Sequence, residues 1–227
     1  GMDKIMPVED YRELARADFE LHEYNHEFDM IRATKSDWEL GRVRESMNLI
    51  HEGFWSIMDS FEPGKTEEEV MAPCVETFTA GGSGPRIMNI ILSGTAGEAE
   101  AHFKIPGNRT IKDDDLLMYS LEVTDREGYW TEFSRVITRD ELSGGTEKMA
   151  EIYPEALDAA RRNLKAGNRA EENMILSFHP QVVDEDGEIC LYAQDTFRVG
   201  QDEGENLSEV PWKLFDGTET RESVLGT

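Results

Sequence analysis

The sequence predicts an α+β fold, in which helices come first and a mostly antiparallel sheet follows. Two observations predict it. In the first third of the chain, apolar residues recur every three or four positions, which is the spacing of one helix face. From Ile87 onward, short runs rich in β-branched and aromatic residues alternate with glycine, aspartate and asparagine, as in strands joined by turns. With 38% hydrophobic residues, the 227-residue chain can bury the core of one large domain.

Three helices are predicted before the first strand. The first covers residues 8–31, which carry an irregular apolar stripe. The second starts after Ser36 and the third after Thr66, and each start has a glutamate three residues later, which is the capping-box pattern. Pro63-Gly64 ends the second helix. The third helix is expected to turn four apolar residues inward: Val70, Cys74, Val75 and Phe78.

The strands are predicted in two groups, separated by a further helix. They cover residues 87–92, 116–124 and 129–137, and then, after a helix at 146–164, residues 174–183 and 189–199. A turn at residues 184–187 would join the last two strands.

The charge of the chain excludes several classes of partner. A formal net charge of −25 repels phosphate backbones and anionic lipid, so neither nucleic acid nor a membrane is an expected partner. No apolar run reaches the roughly 18 residues that a membrane span needs. Cys74 and Cys190 are too few for a disulfide framework. These features predict a cytoplasmic protein.

The central part of the chain carries short motifs in a characteristic order. A predicted strand ends in Ser93-Gly94, the lone His102 follows, and three aspartates at 113–115 lead to a hairpin that ends at Arg135. Three further segments belong to the same set: FDMIRATKS at 28–36, PGKTE at 63–67 and ENMIL at 172–176. In this order, the motifs resemble the catalytic domain of the pita-bread metallopeptidase family, which includes Xaa-Pro dipeptidase, aminopeptidase P, methionine aminopeptidase and creatinase.

The resemblance implies the pita-bread fold, a curved antiparallel sheet with helices on its outer face. Residues 1–35 would then be an N-terminal helix and the remnant of an inter-domain junction, and residues 36–227 the catalytic-like domain. Because members of this family often dimerise, a homodimer is also expected.

The resemblance also implies a site for two divalent metals, held by two aspartates, one histidine and two glutamates. Glu132 stands at the second aspartate position, and counting eleven residues back places Leu121 at the first. The predicted hairpin register sets these two residues opposite each other, with Glu122 on the other face of the sheet. His179 and Gln194 stand where the two glutamates are expected.

The segment that would supply the metal-binding histidine is missing after Ala170, either by a natural deletion or because the residues are absent from this sequence. One carboxylate then remains where five ligands are expected. Divalent cations such as Mn²⁺ need several charged oxygens, so we expect no metal cofactor.

Five residues are candidates for the site. His102 matches the family histidine that contacts substrate, and it would shuttle protons. Glu132 and His179 would orient the substrate and stabilise charge, and Gln194 and Glu122 would contact it. Glu132 has either a raised pKa through burial or an ion pair with Arg135 or a lysine. Together, His102, His179 and Glu132 could alternatively hold one transition metal.

The favoured function is hydrolysis of a C–N bond in a small peptide or amidine-like substrate without the two metals, in the manner of creatinase. One alternative is a catalytically inactive pita-bread domain that binds a small ligand or a protein partner. Another is a metal-dependent Xaa-Pro dipeptidase whose remaining ligands lie in a segment outside this sequence.

Overall fold

The computed structural model describes residues 6–17, 20, 22–85, 87–95, 104–139, 145–183 and 190–226. Within these residues the chain has the α+β architecture that the sequence predicts, with helices leading and a mostly antiparallel sheet following. His102 and the turn predicted at 184–187 lie outside the described residues.

Two helices form where one was predicted at residues 8–31. Helix α1 covers Val8–Arg16 and helix α2 covers Asn25–Ala33. The prediction of one continuous helix is wrong, and the reason is physical: neither helix buries a residue. An irregular apolar stripe with no surface to pack on does not hold a long helix together.

The next two helices follow the sequence prediction closely. Helix α3 covers Asp37–Ser60 and helix α4 covers Glu67–Ala80, and both begin with the predicted reciprocal capping box. Val70, Cys74 and Phe78 of α4 are fully buried. Val75 is 40% exposed, so the prediction that it faces the core is wrong; it lines an open surface pocket beside Ile87 and Asn89.

A four-stranded sheet forms the centre of the molecule. It contains β1 (Ile87–Thr95), β2 (Asp115–Thr124), β3 (Trp130–Thr138) and β9 (Leu214–Asp216), in the order β1-β2-β3-β9. The first three strands are antiparallel, and β9 is parallel to β3. One face packs on α3 and α4 through a large apolar cluster, which includes Tyr119, Leu121, Val123, Phe133 and Ile137.

The other face of the sheet is covered by the second half of the chain. Helix α5 (Gly145–Asn163) packs there with β5 (Gln181–Val183) and β6 (Cys190–Tyr192) around Leu116, Met118 and Val136. The strands β4 (Ile175–Phe178), β7 (Asp195–Arg198) and β8 (Glu205–Asn206) form a separate small sheet. A short helix, α6 (Arg221–Leu225), lies near the end of the described chain.

Each of the two long strands predicted in this half is broken once. The strand predicted at 174–183 divides into β4 and β5 at His179-Pro180, and the one predicted at 189–199 divides into β6 and β7 at Ala193-Gln194. Proline has no N–H to donate, which favours a break in the ladder at that point. The two breaks face each other, because the Ala193 amide donates to the Pro180 carbonyl at 3.2 Å.

Candidate functional site

The hairpin of β2 and β3 has a register one residue away from the predicted one. Glu122 pairs with Glu132, Leu121 with Phe133 and Thr124 with Trp130. The prediction that Leu121 lies opposite Glu132, with Glu122 on the other face, is therefore wrong. The two glutamates are a cross-strand pair on the same face of the sheet.

The loop of this hairpin explains the difference. The Asp125 carboxylate accepts hydrogen bonds from the amides of Glu127 and Tyr129, at 3.1 and 2.9 Å, and Gly128 takes a left-handed conformation with φ of 89°. These contacts draw Tyr129 into the loop, where the prediction had it as the first residue of the strand. One extra loop residue shifts every cross-strand pair by one position. Glu122 then shares a face with Glu132, and Leu121 lies on the other face.

The strand breaks bring two further side chains to the acidic pair. His179 follows β4 and Gln194 precedes β7, and both turn toward Glu132. The Glu132 Oε2 atom lies 2.8 Å from His179 Nε2 and 2.7 Å from Gln194 Nε2. The structure thus joins three of the predicted site residues in one hydrogen-bonded cluster, and places Glu122 directly across from it.

Glu132 is held as an anion. Burial by itself would raise its pKa, but hydrogen bonds from His179, Gln194 and Trp130 outweigh that effect and lower the pKa to about 2. The Trp130 indole Nε1 donates to Glu132 Oε1 at 3.0 Å. Neither sequence interpretation of Glu132 is correct: its pKa is not raised, and its partner is neither Arg135 nor a lysine.

Glu122, by contrast, has a raised pKa. Burial, and then repulsion from the Glu132 carboxylate, raise its pKa to about 7, against the smaller opposing effects of His179 and of a hydrogen bond with Ser120. The Ser120 hydroxyl donates its proton to Gln194 Oε1 at 2.5 Å. Ser120 therefore connects the protonated and the ionised carboxyl groups through Gln194. Near neutral pH, the pair therefore combines the ionised Glu132 with Glu122, which is present both as the acid and as the carboxylate.

Because of this raised pKa, replacing Glu122 with Gln should stabilise the fold selectively at high pH. The native state keeps the Glu122 proton where the unfolded chain, with a pKa of 4.5, has lost it. The contribution of this group to stability is therefore complete below about pH 4.5 and is lost as the pH rises to about 7. Between pH 5 and pH 8, we expect the free energy of unfolding of Glu122→Gln to rise by about 1 to 2 kcal/mol relative to that of the wild type, after discounting for solvent screening.

Urea unfolding at both pH values measures this difference. Glu76→Gln is the matched control, because Glu76 is exposed on α4, and it should show no comparable change with pH. If Glu122→Gln raises the free energy of unfolding equally at pH 5 and pH 8, the prediction is contradicted.

Arg135 lies on the opposite face of the sheet, where it has a structural role. Its guanidinium is fully buried and pairs with the fully buried Asp195 at 2.9 Å. The remaining donors bond the carbonyl oxygens of Ser134, Gln194, Val210 and Pro211. By bonding the carbonyl of Gln194, Arg135 helps to fix the strand break that brings the Gln194 side chain to the site.

The residues at this site do not fit two divalent cations. A carboxylate can only accept hydrogen bonds, so Gln194 turns its amide nitrogen, a donor, toward Glu132. The site thus presents an N–H group where an anionic oxygen would be needed, and Glu122 is half protonated near neutral pH. Within the described parts of the chain, no group of three or more His, Cys, Asp or Glu side chains converges as a metal site.

The connection that should contain the metal-binding histidine is short. Residues 164–174 join α5 to β4 in a turn closed by a hydrogen bond from the Gly167 amide to the Ala170 carbonyl at 3.0 Å, and these residues contain no histidine. His102 lies outside the described residues.

Sequence reasoning missed two residues that complete the cluster. Trp130 stands two positions before Glu132 and so shares its face of the strand. Ser120 stands two positions before Glu122 and shares a face in the same way. The period of two along each strand would have found both residues once Glu122 and Glu132 were paired. Tyr192, whose pKa is raised by burial, also hydrogen bonds with Ser120.

Comparisons with known proteins agree with this fold. The model of metallopeptidase family M24 matches residues 41–174. A search of curated proteins found no match. No helix in the described part of the chain has the length and apolar character to cross a membrane.

Three similar solved structures illustrate the likeness. An X-Pro aminopeptidase from Thermotoga maritima is 17% identical with a TM-score of 0.80, over 92% of this chain and 72% of that chain. A prolidase from Thermococcus sibiricus is 16% identical with a TM-score of 0.80, over 94% and 71%. An Xaa-Pro dipeptidase from Bacillus anthracis is 17% identical with a TM-score of 0.78, over 93% and 72%.

Proposed function

The chain belongs to metallopeptidase family M24, and from this membership we propose that it hydrolyses a C–N bond in a small peptide or amidine-like substrate without the family's two metals. One observation carries the proposal. A carboxyl group with a pKa of about 7, an ionised carboxylate and a half-exposed histidine lie together on one face of the sheet. An acid, an anion and a base in one site are the groups that metal-free hydrolysis requires.

The arrangement assigns each group a role. Because the Glu132 carboxylate can only accept, His179 Nε2, at 2.8 Å, would carry the proton, and Nδ1 would be the atom that accepts a proton from the attacking water. The Glu132 anion would stabilise the imidazolium that forms. As the C–N bond breaks, Glu122 would give its proton to the departing nitrogen, which leaves as a neutral amine. Gln194 would orient both Glu132 and the substrate.

This assignment keeps Glu132 as the group that stabilises charge, as expected from the sequence. Glu122, which was expected only to contact the substrate, becomes the proton donor, and His179 becomes the base. The low pKa of Glu132 makes it a weak base, whereas the pKa of Glu122 lies near the pH at which the acid form and the carboxylate are both present. His102 keeps its proposed role as a proton shuttle, on the grounds of the resemblance.

The test is turnover of Xaa-Pro dipeptides and creatine, with and without a chelator. The wild type should turn over at least one substrate in the presence of the chelator. Glu122→Gln and His179→Ala should each lower kcat by about 10²- to 10⁴-fold, and the exposed control Glu76→Gln should leave it unchanged. Activity that vanishes with chelator and returns with Mn²⁺ would contradict the proposal, and would favour a metal-dependent dipeptidase.

A second candidate is a catalytically inactive domain that binds a small ligand or a protein partner. The observation that favours it is the full hydrogen bonding of Glu132, which accepts from three donors and so is satisfied without a substrate. Absence of turnover in the same assay, for a folded wild type, would favour this candidate. The homodimer expected from the resemblance also remains a proposal.

A further inference from the structure

A cavity adjoins the acidic pair on the same face of the sheet. Along the hairpin, the pair formed by Thr124 and Trp130 follows the pair formed by Glu122 and Glu132. Four described residues line the cavity, which has a volume of about 460 Å³: Pro85, Thr124, Gly128 and Trp130. This volume lies within the range of about 300 to 1,000 Å³ that is usual for small-ligand sites.

The chemistry of the walls suits an uncharged, apolar group. The indole of Trp130 and the ring of Pro85 supply flat apolar surfaces, and Gly128 has no side chain to fill the space. None of the four described lining residues can ionise, although the chain as a whole is strongly acidic. Thr124 is 3% exposed, and its hydroxyl has no hydrogen-bond partner among the described residues.

Trp130 physically connects this cavity to the candidate site. Its Nε1 donates to Glu132 Oε1 at 3.0 Å, so the edge of the indole belongs to the polar cluster while the ring forms a cavity wall. Residues two apart on a strand are separated by about 6.6 Å. The cavity therefore begins about two strand residues from the acidic pair, which is close enough for one small ligand to reach both.

We propose that the Trp130 cavity binds the large apolar side chain of an amide ligand whose polar group lies at Glu122 and Glu132. The inference rests on the proposed function of that site and names its substrate class: amides and short peptides with a leucine-sized or phenylalanine-sized side chain. Acidic side chains are excluded, because the neighbouring Glu132 anion repels them.

Binding of two uncharged probes tests the proposal without requiring turnover. The probes are N-acetyl-phenylalaninamide and N-acetyl-glycinamide, which differ only in the apolar side chain. The indole N–H signal of Trp130, identified by its loss in Trp130→Phe, is followed by ¹H–¹⁵N NMR during titration. We expect this signal to move with the phenylalanine probe, and its Kd to be about tenfold lower than that of the glycine probe.

Three variants separate the cavity from its surroundings. Both variants at Trp130 lack the indole signal, so their binding of the two probes is measured by calorimetric titration. Trp130→Ala should abolish the preference between the probes, whereas Trp130→Phe, which keeps an aromatic wall, should retain most of it. Trp38→Ala is the matched control, because Trp38 is 60% exposed on α3 and does not line the cavity; it should bind like the wild type.

The outcomes distinguish this inference from the proposed function. Equal binding of the two probes, or a Trp130 signal that does not move, overturns the cavity assignment even if dipeptide turnover is found. Selective binding that depends on Trp130 supports it even if no turnover is found, in which case the proposed hydrolysis is the part that fails.

Discussion

We expect Arg135→Ala to lower the free energy of unfolding by about 3 to 5 kcal/mol, because it leaves the buried Asp195 carboxylate without its counter-ion. Both side chains are fully buried and 2.9 Å apart. The guanidinium also donates to four backbone carbonyls, and alanine would remove all of these hydrogen bonds. Urea unfolding monitored by circular dichroism measures the loss.

The matched control for this prediction is Arg32→Ala. Arg32 forms an ion pair with Asp29 at 3.1 Å, and their side chains are 72% and 49% exposed, so its removal should cost less than about 1 kcal/mol. The double variant Arg135→Met with Asp195→Asn should recover part of the loss, because no charge then stays buried without a partner. If Arg135→Ala costs no more than Arg32→Ala, the buried pair is not what stabilises this region.

Local signals in the sequence predicted most of the elements correctly. The capping boxes at Ser36 and Thr66 placed the starts of α3 and α4, because such a cap depends only on residues within one helical turn. The strand breaks at His179-Pro180 and Ala193-Gln194 were not predicted. A break of this kind depends on how two distant strands meet, and periodicity within each strand does not show that meeting.

The candidate site was predictable in composition but not in geometry. The resemblance indicated Glu132, His179 and Gln194, and the structure brings these three together. The predicted hairpin register placed Glu122 on the wrong face, because that register depends on the length of one loop. Two hydrogen bonds from backbone amides to Asp125 decide that length. A contact this local, between a side chain and its own loop, decides which residues of the two strands share a face of the sheet.

The second large effect we expect is the gain of a metal site in the double variant His179→Glu with Gln194→Glu. At present, the amide nitrogen of Gln194 donates to Glu132, and His179 occupies the same carboxylate oxygen. Two glutamates at these positions would replace a donor and an imidazole with anionic oxygens, beside Glu122 and Glu132. Four carboxylates are the kind of ligand set that hard divalent cations such as Mn²⁺ prefer.

Calorimetric titration with Mn²⁺ should show a Kd at least about 100-fold lower for this double variant than for the wild type, since removing two donors and adding two charges both favour the cation. A rise in melting temperature with Mn²⁺ would accompany it, because a ligand that binds only the native state stabilises the fold.

The control, His26→Glu with Gln201→Glu, adds the same charge at two exposed positions. If this control gains as much affinity for Mn²⁺, the added negative charge of the whole protein explains the effect, and no site has formed. Should the wild type already bind Mn²⁺ tightly, then Gln194 does not block the cation, and the metal-free chemistry assigned to Glu122 and His179 loses its basis.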